Sequence, residues 1–273
     1  MTQVAVETEA GGRNKTALIC VHRQDGTRAI YQRRTWSEMG VTANRTRRDD
    51  EPKTAMEVRD VRIPPVGLAG TLRYPPNARA VIAFAHGSGS SRFSPRNRAV
   101  AEGLNARGFG TLLFDLLTLE EEGDRANVFD VGLLAARLVD AVRWLDREFQ
   151  RGRPALGLFG ASTGAAAALV AAATLGGRIG AVVSRGGRPD LADETLDQVC
   201  TPTLLIVGGI DYGVIELNER ALTRLRGPAA LEIIPGASHL FPEPGTLEAV
   251  IDHAARWFAR YLAAGPQEAG SRG

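Results

Sequence analysis

Apolar and polar positions follow one rhythm at the start of the chain and another after about residue 56. "MEVRDVRI" and "LAGTLRY" alternate at every second residue, which predicts two short strands, and "PPVG" between them makes the pair antiparallel. "AVIAFAH" and "GTLLFDL" are near-continuous apolar runs, as expected of strands covered on both faces, separated by the helical pattern of "SPRNRAVAEGLNARG". In "VGLLAARLVDAVRWLDREF" the residues Leu134, Leu138, Ala141, Val142, Leu145 and Phe149 recur at helical spacing, and this helix leads into the buried strand "ALGLFG". A small-residue helix, the strand "IGAVVSR", a short helix in "DLADETLDQV" and the strand "TPTLLIVGG" come next. A helix over "VIELNERALTRLR", the strand "ALEIIPG" and an amphipathic helix over "TLEAVIDHAARWFARYL" complete the series. Three strands followed by repeated helix and strand predict an α/β fold. Its central sheet is mostly parallel, with antiparallel N-terminal strands and helices on both faces.

The rhythm assigns residues 56–263 to one domain, residues 1–55 to an N-terminal extension and residues 264–273 to a frayed tail. The extension ends in "NRTRRDDEPK", too charged to bury much apolar surface, and "TALICVHRQDGTRAIYQ" within it could form a short hairpin about Asp25-Gly26. A length of 273 residues suits one principal core, and a net charge of +2 is too small to point to nucleic acid. Cys20 and Cys200 form neither a CxxC pair nor a disulfide framework. No apolar run has the length of a membrane span, and the first residues lack the pattern of a secretory signal. The expectation is a cytoplasmic, reduced protein without membrane association, a monomer or homodimer acting on a small molecule.

Chemistry concentrates where predicted strands end, since loops at the carboxyl edge of an open α/β sheet converge on one crevice. "GLFGASTG" fits G-x-S-x-G, with a strand before Ser162 and a helix after it. The small neighbours Gly160, Ala161, Gly164 and Ala165 suit the sharp turn that exposes a nucleophile. A serine there can equally be a helix N-cap. A nucleophilic serine needs a base. Of four histidines, His22 lies in the extension and His253 on the polar side of the last helix. His86 is followed at once by glycine, which suits a different task, and His239 sits in the loop after the last strand. The carboxylate that orients it is expected to be Asp211, with Asp115, Asp190 and Asp193 as alternatives. The chain order Ser162, Asp211, His239 is the one found in α/β hydrolases.

For the oxyanion, the donors expected are the amide of Thr163 and that of Ser88 in "HGSGSS", with Gly87 as fallback. This glycine-rich run is not a phosphate loop, because no Gly-Lys-Ser/Thr follows, and it lacks the third glycine of a dinucleotide fingerprint. Arg185 and Arg188 in "SRGGRPD" lie past a strand end. One of them, with Arg185 preferred, attracts an anionic group of the substrate, or else pairs with Asp190.

With these residues in place, "AHGSGSS", "FDLL", "GLFGASTGAAAAL", "VSRGGRPDLA", "IVGGID" and "GASHLF" resemble the dienelactone hydrolase-like branch of the α/β-hydrolase superfamily over about residues 56–262. The resemblance implies the α/β-hydrolase fold, hydrolysis of esters or lactones, and a triad at Ser162, Asp211 and His239. Dienelactone hydrolases proper use a cysteine nucleophile, whereas this chain has serine, which implies a serine esterase. Only a short helix separates "IGAVVSR" from "TPTLLIV", so no large cap domain is expected, and no metal or organic cofactor is required. An acyltransferase or thioesterase using the same serine, and a ligand-sensing receptor with a retained triad, are the rival readings.

Overall fold

The computed structural model describes residues 55–78, 80–150 and 152–262, together with the backbone of three N-terminal strands, residues 3–8, 16–22 and 28–35. The chain divides into two compact units, Met1–Glu51 and Pro52–Gly273. In the first, β1 (Gln3–Thr8), β2 (Thr16–His22) and β3 (Arg28–Thr35) form an antiparallel sheet in the order β1-β2-β3. The Asp25-Gly26 turn and the tail expected at 264–273 fall outside the described residues.

The second unit is built on an eight-stranded sheet. Its first hairpin, β4 (Glu57–Ile63) and β5 (Leu68–Tyr74), pairs Ile63 with Leu68 and Glu57 with Tyr74. The alternating exposure along β4 is what a period of two predicts for an edge strand with one wet face. β6 (Ala80–Ala85), β7 (Gly110–Phe114), β8 (Ala155–Ala161), β9 (Ile179–Arg185), β10 (Thr203–Gly208) and β11 (Ala229–Ile234) follow. The spatial order is β11-β10-β9-β8-β6-β7-β5-β4, and β5 meets β7 antiparallel. β6 and β7 run parallel, as do all pairs from β6 through β8, β9 and β10 to β11.

This order sets the position of the crevice. The chain leaves β6 toward β7 on one side, then returns to the other side of β6 as β8, so the connections diverge between β6 and β8. Ligands bind at the carboxyl end of such a switch point. The residues just beyond β6 and β8 are His86 to Ser91 and Ser162.

Two apolar layers cover the sheet. On one face α4 (Val131–Glu148) and α5 (Thr163–Leu175) pack against Val81, Ala83, Leu156, Leu158 and Leu205. On the other, α1 (Pro95–Asn105) and α7 (Thr246–Leu262) cover Ile82, Phe84, Phe159, Val183 and Ile206. α1 begins with Pro95 behind Ser94, whose hydroxyl accepts the Asn97 N–H at 3.4 Å. α7 buries Val250, Ala254, Phe258 and Leu262, four residues apart. α6 (Tyr212–Leu222) follows β10.

Two details differ from the sequence expectation. The segment after β9 is a 3₁₀ stretch, Pro189–Gln198, kinked at Ala192, rather than an α-helix. Between β7 and α4 lie two short helices, α2 (Leu119–Glu122) and α3 (Arg125–Phe129). They are held by side-chain caps at Thr118 and Asp124 and contain no buried residue, so no apolar periodicity announced them.

Candidate active site

β8 ends at Ala161, and the next residue turns the chain into α5. Ser162 has φ 52° and ψ −121°, a conformation costly to a residue with a side chain, and its hydroxyl makes no capping bond to the helix. It stands at the N-cap position without performing the N-cap's task. The neighbours explain how the turn is tolerated. A methyl group on Gly160 would run into Ala165 Cα and lie 2.7 Å from Gly164 O, and one on Gly164 would overlap the carbonyls of Ala85 and His86. Only glycine allows the elbow, α5 and the end of β6 to come this close. The alanines of α5 have the same origin, since Ala165, Ala166, Ala167 and Ala168 are all fully buried.

The elbow is pinned to the end of β9. Ser162 N–H donates to Arg185 O at 3.2 Å, and Arg188 N–H donates back to Ser162 O at 3.2 Å. His239 approaches the same turn, because a Cβ on Gly186 would meet His239 O at 3.0 Å and its ring at 3.5 Å. Ser162 and His239 thus flank one turn, residues 185–188, which Asn218 of α6 holds through a 3.0 Å bond from Nδ2 to Gly187 O.

His239 Nδ1 lies 2.6 Å from Asp211 Oδ2, so the ring donates from Nδ1 to the carboxylate and leaves Nε2 as its free acceptor. Asp211 precedes α6 and, like Ser162, makes no side-chain cap. The alternative carboxylates are engaged elsewhere. Asp115 accepts the Arg92 backbone N–H at 2.8 Å and pairs with the Arg92 guanidinium, Asp190 pairs with Arg188, and Asp193 with Arg224. The loop bearing His239 is braced by Glu243, whose two carboxylate oxygens accept the Ser238 N–H at 3.1 and 3.2 Å. Hydrogen bonding from Ser238 holds that carboxyl below its ordinary pKa.

The loop after β6 lies against the elbow, since a Cβ on Gly87 would stand 3.1 Å from Ser162 Cβ and from Ala161 O. Ser88 follows, and Ser90 N–H turns back to Gly87 O at 3.2 Å. Across the elbow, Thr163 opens α5, so its N–H has no helical carbonyl four residues earlier to bond. The buried His86 fixes the loop. Its Nε2 accepts the Leu116 N–H at 3.1 Å, which makes Nδ1 the protonated nitrogen, and Nδ1 donates to Gly87 O at 3.0 Å. Burial pushes its pKa below the ordinary value, in keeping with a neutral ring. The sequence reading set His86 aside for another task, and tying the β6 loop to the β7 loop is that task. A cleft of about 360 Å³ opens on the Ser88 side, walled by Leu116, Leu117, Val128 and Leu134, with Glu122 at its lining. Neither Ser162 nor His239 lines this cleft.

The two arginines separate. Arg188 makes a two-point bond to Asp190, 2.8 Å from Nε and 2.6 Å from Nη2, the duller of its two expected roles. Arg185, the last residue of β9, is 6% exposed, and its Nη1 is sealed from solvent without a hydrogen-bond partner. Burial, with a smaller contribution from the charge of Arg96, lowers its pKa to about 10, so it remains charged at neutral pH.

No protein-family model matches the chain. Two curated proteins from strains of Mycobacterium tuberculosis, which carry a provisional phosphoribosyl transferase name, are 57% identical to it over 206 residues, 76% of this chain. The chain spans 46% of their length, less than half. Among solved structures, a dienelactone hydrolase from Anabaena variabilis is 54% identical with a TM-score of 0.72, over 76% of this chain and 98% of that one. An α/β serine hydrolase without a lid from Xanthomonas campestris shares the fold at 23% identity and a TM-score of 0.62, over 78% of this chain and 98% of its own.

Proposed function

Because the chain belongs to the dienelactone hydrolase-like family of the α/β-hydrolase superfamily, we propose that it is a serine hydrolase cleaving a small ester or lactone through an acyl-enzyme on Ser162. The observation that carries this reading is the hydrogen bond from His239 Nδ1 to Asp211, set across the 185–188 turn from a serine in a strained, uncapped elbow.

Asp211 holds the His239 tautomer with Nε2 free and stabilises the imidazolium when it forms. Nε2 takes the Ser162 proton as Oγ attacks the carbonyl carbon, and the amides of Thr163 and Ser88 receive the negative charge that moves to oxygen. The imidazolium then protonates the departing alkoxide. Water, deprotonated by the same nitrogen, attacks the acyl-enzyme, and its proton returns to Ser162 as the acid leaves. His86 acts on this sequence indirectly, by fixing the loop that presents Ser88. No step calls for a metal or an organic cofactor.

The phosphoribosyl transferase name of the Mycobacterium tuberculosis relatives belongs to proteins of which this chain spans 46%, and the hydrolase reading is supported instead by the Asp211–His239 pair and the Ser162 elbow. The test is labelling with a fluorophosphonate followed by turnover of short p-nitrophenyl esters. Ser162 should carry the label. Ser162→Ala and Asp211→Asn should each lower kcat by roughly 10⁴-fold or more while the far-ultraviolet circular dichroism stays unchanged. Label on another residue, or turnover surviving Ser162→Ala, would sink the assignment.

A further inference from the structure

A buried guanidinium normally has a carboxylate, because the desolvation of an unpaired ion is large and only partners offset it. Arg185 departs from that rule. It is 6% exposed, its Nη1 is sealed without a partner, and it takes part in no ion pair among the described residues. Of the acids near the strand ends, Asp115 is engaged by Arg92, Asp190 by Arg188 and Asp211 by His239, while Glu122, which lines the cleft, makes no ion pair with Arg185.

A second guanidinium also lacks an ion-pair partner among the described residues. Arg96 in the first turn of α1 has a buried Nε without a partner, and its charge bears directly on Arg185. Next to it, Asn97 is 2% exposed and its Oδ1 is also unpartnered. α1 is 11 residues long and starts at the carboxyl edge of the sheet, where its positive end adds to the field of the two arginines. Like charges near enough to influence one another are costly to keep ionised, and an anion bound by both would offset that cost. The position is as informative as the charge, because the backbone carbonyl of Arg185 accepts the N–H of Ser162.

We propose that Arg185 and Arg96, at the N-terminus of α1, form a subsite for a dianionic phosphate group carried by the substrate, so that the ester or lactone cleaved at Ser162 is a phosphorylated one. Two guanidiniums match two negative charges, whereas a single carboxylate would leave one cation unneutralised. Guanidinium forks also bind phosphate oxygens in pairs. The phosphate is a handle and not a leaving group. It stays bonded to the substrate while the ester bond breaks, so the chemistry is that of the acyl-enzyme cycle above. The inference rests on that reading for the reaction, and stands apart from it for the binding.

Inorganic phosphate is the probe. At pH 8 and constant ionic strength it should inhibit p-nitrophenyl acetate turnover competitively, with acetate at least roughly tenfold weaker. Arg185→Met and Arg96→Gln should each raise the inhibition constant for phosphate by at least roughly tenfold. Inhibition that is absent, equal for acetate, or unchanged in both variants would overturn the subsite. A structural role is separated by stability, because removing an unpaired buried charge should leave the urea midpoint of Arg185→Met unchanged or higher. A lower midpoint would make the guanidinium structural and overturn the assignment. Should the chain turn over no ester, calorimetric titration with inorganic phosphate still decides the subsite, so the two readings fail separately.

Discussion

The interior of the central sheet and its carboxyl edge are one residue apart along the strands and obey different rules. β6 and β10 are buried at every position, and Phe84 and Phe159 stack across neighbouring strands with ring centroids 4.9 Å apart. Within a residue of the strand ends the side chains become His86, Ser162 and Arg185, with a positive φ at the serine and an unpaired charge at the arginine. The interior is filled by apolar side chains, whereas the edge retains strain and unmet bonding capacity. Packing is therefore concentrated in one region and backbone strain in the other, and rigid strands hold the strained residues in place.

The comparison breaks most severely where the interior is opened. Phe159→Ala removes a ring with no exposed surface between two layers and should cost about 3–5 kcal/mol of unfolding free energy, read from urea denaturation. If the cost were under about 1 kcal/mol, the interior would be less tightly packed than its burial implies.

An edge residue with a structural duty should give an intermediate effect. His86→Phe leaves the Leu116 N–H without its acceptor and should cost about 1–3 kcal/mol. It also carries a pH signature. The folded-state pKa of His86 lies below the unfolded value of about 6.5. Between the two, the unfolded chain binds a proton that the folded one does not, so stability should fall as pH drops below about 6.5. Thermal melts from pH 8 to pH 5 should show this loss in the parent and a shallower one in His86→Phe. Parallel slopes would mean that the ring is not held neutral.

The smallest effect belongs to the edge residue that has found its partner. Arg188→Ala removes a partly exposed ion pair and should change stability by under about 1 kcal/mol, measured by the urea midpoint. A change above about 2 kcal/mol would place Arg188 with the interior, and the contrast with Arg185 would fail.

Much of this arrangement was legible in the chain, for an identifiable reason. Strand ends can be read from where apolar runs stop, and an α/β sheet gathers its strand ends on one edge, so Ser162, Asp211 and His239 could be assigned to a common crevice without coordinates. The glycines about Ser162 were equally readable as a demand for close approach. The short helices at Leu119–Phe129 were not, because capped turns on the surface leave no apolar period. Nor were the braces of the crevice, since His86 works through a backbone amide thirty residues away and Glu243 through one at Ser238.

The two arginines mark the boundary between the two kinds of knowledge. "SRGGRPD" places Arg185 at the end of β9 and Arg188 just beyond it, and cannot say which is free. Local geometry gives Asp190 to Arg188, two residues along the chain. Arg185 is instead buried at the end of β9, where the charge of Arg96 from α1 bears on it and no ion pair forms among the described residues. Periodicity is a property of neighbours in sequence, so it determined the strands and where they end. Pairing and burial depend on which loops converge, and only the tertiary structure decided that the buried charge at the end of β9 has no ion-pair partner among the described residues.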